Sequence, residues 1–215
     1  MRFCLSVICA FIFGLSSCTS FPARTLAENT DFVRLGDNSH QFWKSVMTPA
    51  AQMKYRASEV TTFCNIFVAD TLKDHLGMET FRKVMPAEIQ SPQKAYVEWQ
   101  ANPWLFRLKP ENFSTEQIQH LADEGYVILI SYFNPRGKSH LAFVGNSRLV
   151  MSTIPQIKKL EGKSASDLGS EWLPVVVQAG TYTGVTSIVY ASNGWLEPKG
   201  GLFESGNVMF YLIRV

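Results

Sequence analysis

The spacing of apolar residues divides the chain into a helical part and a strand-rich part. Phe63, Phe67, Val68, Leu72 and Leu76 form a stripe at helical spacing. A threonine at 61 or 62 is a suitable N-cap for this stripe, and the glycine at 77 is a suitable stop. Two later helix starts are also marked in the sequence. Pro92 suits a first helical position, and residues 114–117 form a capping box. The pattern predicts helices over residues 39–55, with a break at Pro49, over 61–77, over 91–99 and over 114–125.

Short runs of β-forming residues follow Gly125. YVILISYF is typical of a buried strand, NPRG of a turn, and SHLAFVG of the hairpin partner. Residues 155–171 are polar and rich in Lys, Ser and Gly, which indicates an insertion loop. The predicted strands cover residues 126–133, 139–145, 175–178, 186–190 and 207–213. The order of elements predicts an α+β fold in which helices pack on an antiparallel sheet.

The first residues have the pattern of an export signal. Arg2 precedes an apolar segment from Phe3 to Gly14, which is too short for a membrane-spanning helix. LSSC then resembles the lipobox of bacterial lipoproteins, in which the cysteine is acylated and becomes the new amino terminus. This resemblance implies a signal peptide over 1–17, lipid on Cys18, a tether over 18–38 and one domain over 39–215, with ordinary secretion as the alternative. Thr19, where Asp would change sorting, implies an outer membrane location facing the periplasm in a Gram-negative cell.

Composition excludes several classes of function. Removal of 17 residues from 215 leaves 198, enough for one domain with a sizeable core. The formal net charge of +2 becomes +1 without Arg2, so nothing in the charge favours a nucleic-acid partner. The histidines lie at 40, 75, 120 and 140, with no pair at zinc-ligand spacing, so we expect no metal and no other cofactor.

Cysteine usage points to one residue. Of the 4 cysteines, Cys4 and Cys9 leave with the signal and Cys18 carries lipid, so Cys64 is the single thiol of the mature domain. A lone thiol in an oxidising compartment favours a nucleophile, although a buried small hydrophobe is the alternative. If Thr61 caps the helix, Cys64 lies in its first turn, where the helix dipole favours the thiolate.

One histidine is placed to serve as a base. His40, His75 and His120 lie on predicted helices among polar neighbours and are interpreted as surface residues. His140 opens the strand HLAFVG directly after the turn, so its side chain can project toward the helix of Cys64 and form an ion pair with the thiolate. A structural histidine at a strand end is the alternative.

These segments carry a resemblance to a known family. CNIFVAD on a helix, the hairpin VILISYFNPRGKSH with HLAFVG, and a later strand VVVQAG resemble NlpC-type and CHAP-like cysteine hydrolases of papain-like fold, over roughly residues 55–215. The resemblance implies Cys64 as nucleophile, His140 as general base and Gln178 as the residue that orients the imidazole. Asn146 is the local alternative to Gln178. Tyr55 matches a tyrosine that shapes the site in the NlpC group, or is a core aromatic.

The family resemblance and the lipobox together imply a function in the cell envelope. We expect a lipid-anchored cysteine peptidase or amidase that cleaves amide bonds in the peptide stems of peptidoglycan. The alternatives are a non-catalytic envelope lipoprotein that binds the wall or another protein, and a thiol acyltransferase or effector amidase. Trp104 and Trp195 either line a substrate groove or pack near the core.

Overall fold

The computed structural model describes residues 31–46, 54–55, 63–85, 91–134, 139–151, 174–179, 184–187 and 206–215. A short 3₁₀ turn, Gly36–Asn38, precedes the first helix, and a π-helical turn, Leu72–Leu76, joins the second helix to the third. The helices of these residues are α1 (Ser39–Val46), α2 (Cys64–Thr71), α3 (Gly77–Val84), α4 (Pro92–Glu98), α5 (Thr115–Asp123) and α6 (Ser147–Met151).

Six antiparallel strands form one sheet. Its order is β1-β6-β2-β3-β4-β5, so the hairpin β2-β3 lies in the middle. In that hairpin Tyr132 pairs with His140, and on the other side of β3 Ala142 pairs with Gln178. The strands are β1 (Leu105–Leu108), β2 (Ile128–Tyr132), β3 (His140–Val144), β4 (Val175–Gln178), β5 (Gly184–Ser187) and β6 (Val208–Ile213).

Each face of the sheet carries its own buried apolar layer. Because side chains alternate along a strand, Leu141 and Phe143 of β3 lie on one face and Ala142 and Val144 on the other. Leu141 and Phe143 belong to the layer that includes the buried residues of α1 and α4 together with Phe67 and Val68 of α2. Ala142 and Val144 belong to the layer formed with α5. The predicted packing of the Cys64 helix on an antiparallel sheet is therefore confirmed, and the protein is α+β.

Local capping explains two of the helices. At α5 the Ser114 hydroxyl accepts a hydrogen bond from the Gln117 N–H, and the Gln117 side chain accepts one from the Ser114 N–H. At α4 the Ser91 hydroxyl accepts a bond from the Lys94 N–H, with proline in the first helical position. Both helix starts agree with the sequence prediction because the capping signals are local and act within one turn.

The region around α2 differs from the sequence prediction. Phe63 is the N-cap and makes no side-chain cap, so α2 begins at Cys64, and the threonines expected as caps lie outside the described residues. The α-helix changes into the π-helical turn Leu72–Leu76. The chain then bends at Gly77, which has a φ of 86° and is the first residue of α3. A new helix after Gly77 was not predicted, and neither were the edge strand β1 and the short helix α6.

Residues 31–38, which we expected in the tether, pack onto the domain. Phe32 and Leu35 are buried, and Phe32 and Arg34 form isolated bridges with Arg214 and Tyr126. The folded domain therefore includes residues before position 39. The signal peptide, Cys18, the insertion over 155–171, Trp195 and most of the NPRG turn lie outside the described residues.

Candidate functional site

Cys64 occupies the first position of α2. The N–H groups of a first helical turn have no carbonyl partner within the helix, so they can stabilise negative charge on a neighbouring acyl oxygen. The Cys64 side chain has no contact with solvent, with an exposed fraction of 0%. The predicted place in the first turn is thus confirmed, although the residue is more deeply buried than expected.

His140 and Gln178 are brought together on neighbouring strands. Gln178 pairs with Ala142, two residues along β3 from His140, and side chains two apart on a strand share a face. The Gln178 side chain raises the pKa of the imidazole, which favours the protonated form. Its Oε1 atom is nevertheless buried without a hydrogen-bond partner among the described residues. The structure therefore places Gln178 beside His140, and its role in orienting the imidazole stays a prediction.

Burial controls the charge of His140. The residue is partly accessible, yet its Nε2 atom is buried. This burial lowers the pKa of His140 from its ordinary 6.5 to about 4, and the neighbouring Gln178 side chain opposes the shift only in part. The imidazole is consequently neutral near pH 7, which is the form that can accept a proton.

The lowered pKa of His140 predicts a pH-dependent stability. The unfolded chain binds a proton near pH 6.5 and the folded chain only near pH 4, so stability present above pH 6.5 is lost as the pH falls toward 4. Each pH unit in this window should cost about 1.4 kcal/mol of unfolding free energy. We expect His140→Gln to remove this component, measured as the difference in urea unfolding between the two proteins from pH 7.5 to 4.

Subtracting the His140→Gln stability curve from the wild-type curve cancels the contribution of the carboxylates, which titrate in the same pH range in both proteins. His120→Gln is the matched control, because the His120 side chain is 66% exposed and its ion-pair partner is Glu124, at the end of the same helix. This control should keep the slope of the wild type. A wild-type slope unchanged by His140→Gln would show that the imidazole is not buried in its neutral form.

The helix that carries Cys64 lies across the other face of β3. Phe67 of α2 contacts Phe143, with ring centroids 5.8 Å apart, whereas His140 shares its face with Ala142 and the α5 layer. His140 is also the first residue of β3. The sulfur and the imidazole can therefore meet only around the start of this strand.

The expected thiolate and imidazolium ion pair does not agree with the lowered pKa of His140. Loss of solvent disfavours the charged form of an imidazole, so the His140 ring is neutral at pH 7. The arrangement suits transfer of the thiol proton to the imidazole during attack better than a pre-formed ion pair.

Asn146 and Tyr55 have other tasks. The Asn146 amide donates to the Asp123 carbonyl at 3.1 Å and accepts from the Leu149 N–H at 3.2 Å, which joins α5 to the start of α6. It follows the far end of β3, roughly 13 Å or more from His140 along the strand. Tyr55 is buried against Phe67, and its hydroxyl donates to Asp70 at 2.8 Å, as a core aromatic does. His40, His75 and His120 are exposed, as predicted.

Gln119 positions the two strands of the site and was not singled out from the sequence. Its side chain is buried, donates to the Gly145 carbonyl at 2.9 Å and accepts from the Val175 N–H at 2.7 Å. One amide on α5 thus ties the end of β3 to the start of β4. A glutamine in an amphipathic helix has the same sequence pattern as a surface residue, so no local signal marks this role.

Ser139 also supports the site from the position before His140. It is buried, and its hydroxyl accepts a hydrogen bond from the Asn134 N–H at 3.3 Å. This bond holds the entry to β3 against the exit from β2. The start of β3, where His140 lies, is therefore held by the Ser139–Asn134 bond next to β2 and by the pairing of β3 with β4.

Comparison with protein-family models, curated proteins and solved structures found no match for this chain. Among the described residues, no helix has the length and apolar content needed to span a bilayer. The same residues contain no group of three or more His, Cys, Asp or Glu side chains suited to hold a metal ion.

Proposed function

We propose that the protein is a lipid-anchored cysteine peptidase or amidase of papain-like NlpC or CHAP type, which cleaves amide bonds in peptidoglycan. One observation carries the proposal. His140, whose Nε2 atom is buried and which has Gln178 beside it on the next strand, begins the strand that the helix headed by Cys64 packs across. Residues whose pKa is strongly shifted by burial are common at catalytic sites.

The reaction has two proton-balanced stages. Neutral His140 accepts the Cys64 proton as the sulfur attacks the amide carbonyl, and N–H groups at the start of α2 stabilise the oxyanion. The imidazolium then gives this proton to the leaving amine, which leaves a thioester. His140 next accepts a proton from water, the hydroxide displaces the sulfur, and the returned proton restores the thiol.

Gln178 contributes orientation and no charge. An amide that accepts from one ring nitrogen fixes the tautomer and leaves the other nitrogen to act as the base. A carboxylate in this position would stabilise the imidazolium more strongly. The neutral partner is consistent with the low pKa of His140, because neither burial nor Gln178 provides a negative charge.

The site requires Cys64 and His140 to meet around the start of β3. His140 is the first residue of β3, so no strand residue before it blocks the way from the α2 face of the sheet to the α5 face. Ser139 holds the backbone just before this point through its hydrogen bond with Asn134. Substrate binding that brings the sulfur toward the strand start would also expose it. The complete burial of Cys64 fits an enzyme whose nucleophile is covered until substrate is bound.

The same burial favours a second candidate function. A fully buried cysteine can serve as a small hydrophobic residue, and the protein would then be a non-catalytic envelope lipoprotein that binds the wall or a protein partner. In both cases the lipid expected on Cys18 would hold the domain at the membrane surface, in the outer membrane facing the periplasm of a Gram-negative cell.

Digestion of purified peptidoglycan tests the proposed function. We expect the wild-type protein to release fragments with new free amines and no new reducing ends, as identified by mass spectrometry. Cys64→Ala should release none. Fragments linked to an added amine acceptor would indicate an acyltransferase instead, and tight binding without any cleavage would favour the non-catalytic lipoprotein.

A further inference from the structure

Two grooves meet at Trp104, away from the candidate site. The first has a volume of about 840 Å³ and is bordered by α3 and by the loop that leads from α4 to β1. The second, of about 530 Å³, includes Asp31 and Arg214. Volumes of roughly 300–1,000 Å³ are typical of ligand sites. Trp104 is 38% exposed and lines both grooves, so one aromatic side chain is presented to a ligand that crosses from one groove to the other.

The backbone of Trp104 is fixed on both sides, and its indole lies beside a cation. The Asn102 side chain accepts from the Trp104 backbone N–H at 2.9 Å and donates to the Lys83 carbonyl at 2.9 Å. The Trp104 carbonyl accepts from the Arg214 N–H at 2.8 Å. The Lys83 ammonium lies 4.1 Å from the ring centroid and 2.9 Å from Glu79. A fixed backbone reduces the conformational entropy that is lost when a ligand stacks on the ring.

The charges around Trp104 are balanced. The first groove contains two acidic residues, Glu79 and Glu98, and two basic residues, Arg82 and Lys83. The second groove contains one of each sign, Asp31 and Arg214. Such a lining has no net field to attract a nucleic acid or an anionic lipid surface. It instead offers alternating hydrogen-bond donors and acceptors beside an apolar ring.

We propose that the two grooves bind a neutral β-linked glycan, with Trp104 stacked on the apolar face of a sugar ring. A sugar presents flat C–H surfaces and a rim of hydroxyl groups, which match the indole and the charged rim of the grooves. This inference rests on the proposed function, which implies the glycan strand of peptidoglycan as the ligand. Trp104 immediately precedes the edge strand β1, three strands from β3, and lies at the other end of the sheet from His140. The separation is roughly 14 Å across the strands and roughly 20 Å along them. A glycan bound there would extend along the domain and bring a stem peptide further along its length to the candidate site.

Binding can be measured without cleavage in the full-length Cys64→Ala protein. The probes are a chitin hexasaccharide, which carries no charge, and the released stem peptides. We expect the hexasaccharide to bind, and addition of Trp104→Ala to weaken this binding by about tenfold or more. Trp104→Phe should retain most of it. Val97→Ala is the matched control, since Val97 is 59% exposed on α4 and lines neither groove.

The outcomes separate this inference from the proposed function. Glycan binding that is absent, or unchanged in a folded Trp104→Ala protein, would overturn the inference, as would binding of the stem peptides alone through Trp104. Hydrolysis by the wild type would in those cases still support the proposed function. Conversely, Trp104-dependent glycan binding by a protein that cleaves nothing would refute the hydrolase and leave the glycan site standing.

Discussion

Cys64→Ala and His140→Ala are each expected to lower peptidoglycan hydrolysis by at least about 10³-fold, with little further loss in the double variant. The reason is that a nucleophile and its base act as one unit, so removing either removes most of the benefit of both. Rates should be compared on the same purified peptidoglycan, with circular dichroism to show that each variant is folded. His120→Ala changes an exposed histidine and should leave the rate unchanged.

Gln178 variants separate orientation from charge in the same assay. Gln178→Ala should be milder than His140→Ala, with a loss on the order of 10²-fold, because the base remains but its tautomer is no longer fixed. Gln178→Glu should keep or raise activity and should move the pH dependence, since a carboxylate stabilises the imidazolium. Full activity of a folded His140→Ala protein would remove the histidine from the mechanism.

Phe143→Ala is expected to cost about 3–5 kcal/mol of unfolding free energy, a large part of the stability of a typical domain. Phe143 is fully buried on β3, and the ring centroids of Phe42, Trp43 and Phe67 lie 6.4, 6.5 and 5.8 Å away. Its removal leaves a cavity between the sheet and two helices that cannot close without moving both. Urea unfolding at pH 7.5 measures the loss.

Phe106→Ala provides the comparison for Phe143. Phe106 lies on the edge strand β1, is only partly buried, and contacts Phe32 with centroids 5.6 Å apart. Its loss should cost about 1–2 kcal/mol, because water and the neighbouring Arg214 side chain can fill the space. Equal losses for the two variants would show that Phe143 does not hold α1 and α2 to the sheet.

Features that depend on neighbouring residues were predicted well from the sequence. The starts of α4 and α5 were found because Ser91 and Ser114 cap their own helices. The hairpin β2-β3 and the span of β4 were found because continuous apolar runs of this length are typical of buried strands. The surface positions of three histidines also followed from their polar neighbours.

Features that depend on distant pairing were not predicted. The strand β1 is four residues long and is defined by its pairing with β6, more than a hundred positions later. The helix α3 was not predicted because it begins at Gly77, and glycine after an apolar stripe is typical of a helix end. The position of α2 on the face opposite His140 results from the packing of Phe67 and Phe143 across the sheet, and the cysteine and histidine motifs contain no information about it.

The amide of Gln119 has a consequence for how this sheet can vary during evolution. A hairpin fixes strand register through a short turn, but β3 and β4 are separated in sequence by residues 145–174. Here the register is held from the side, by a helix residue that binds the end of one strand and the start of the next. Lengthening the connecting segment costs little loop-closure entropy. That segment is therefore free to gain or lose residues, and so to acquire new specificity, while Gln178 remains opposite Ala142 and beside His140.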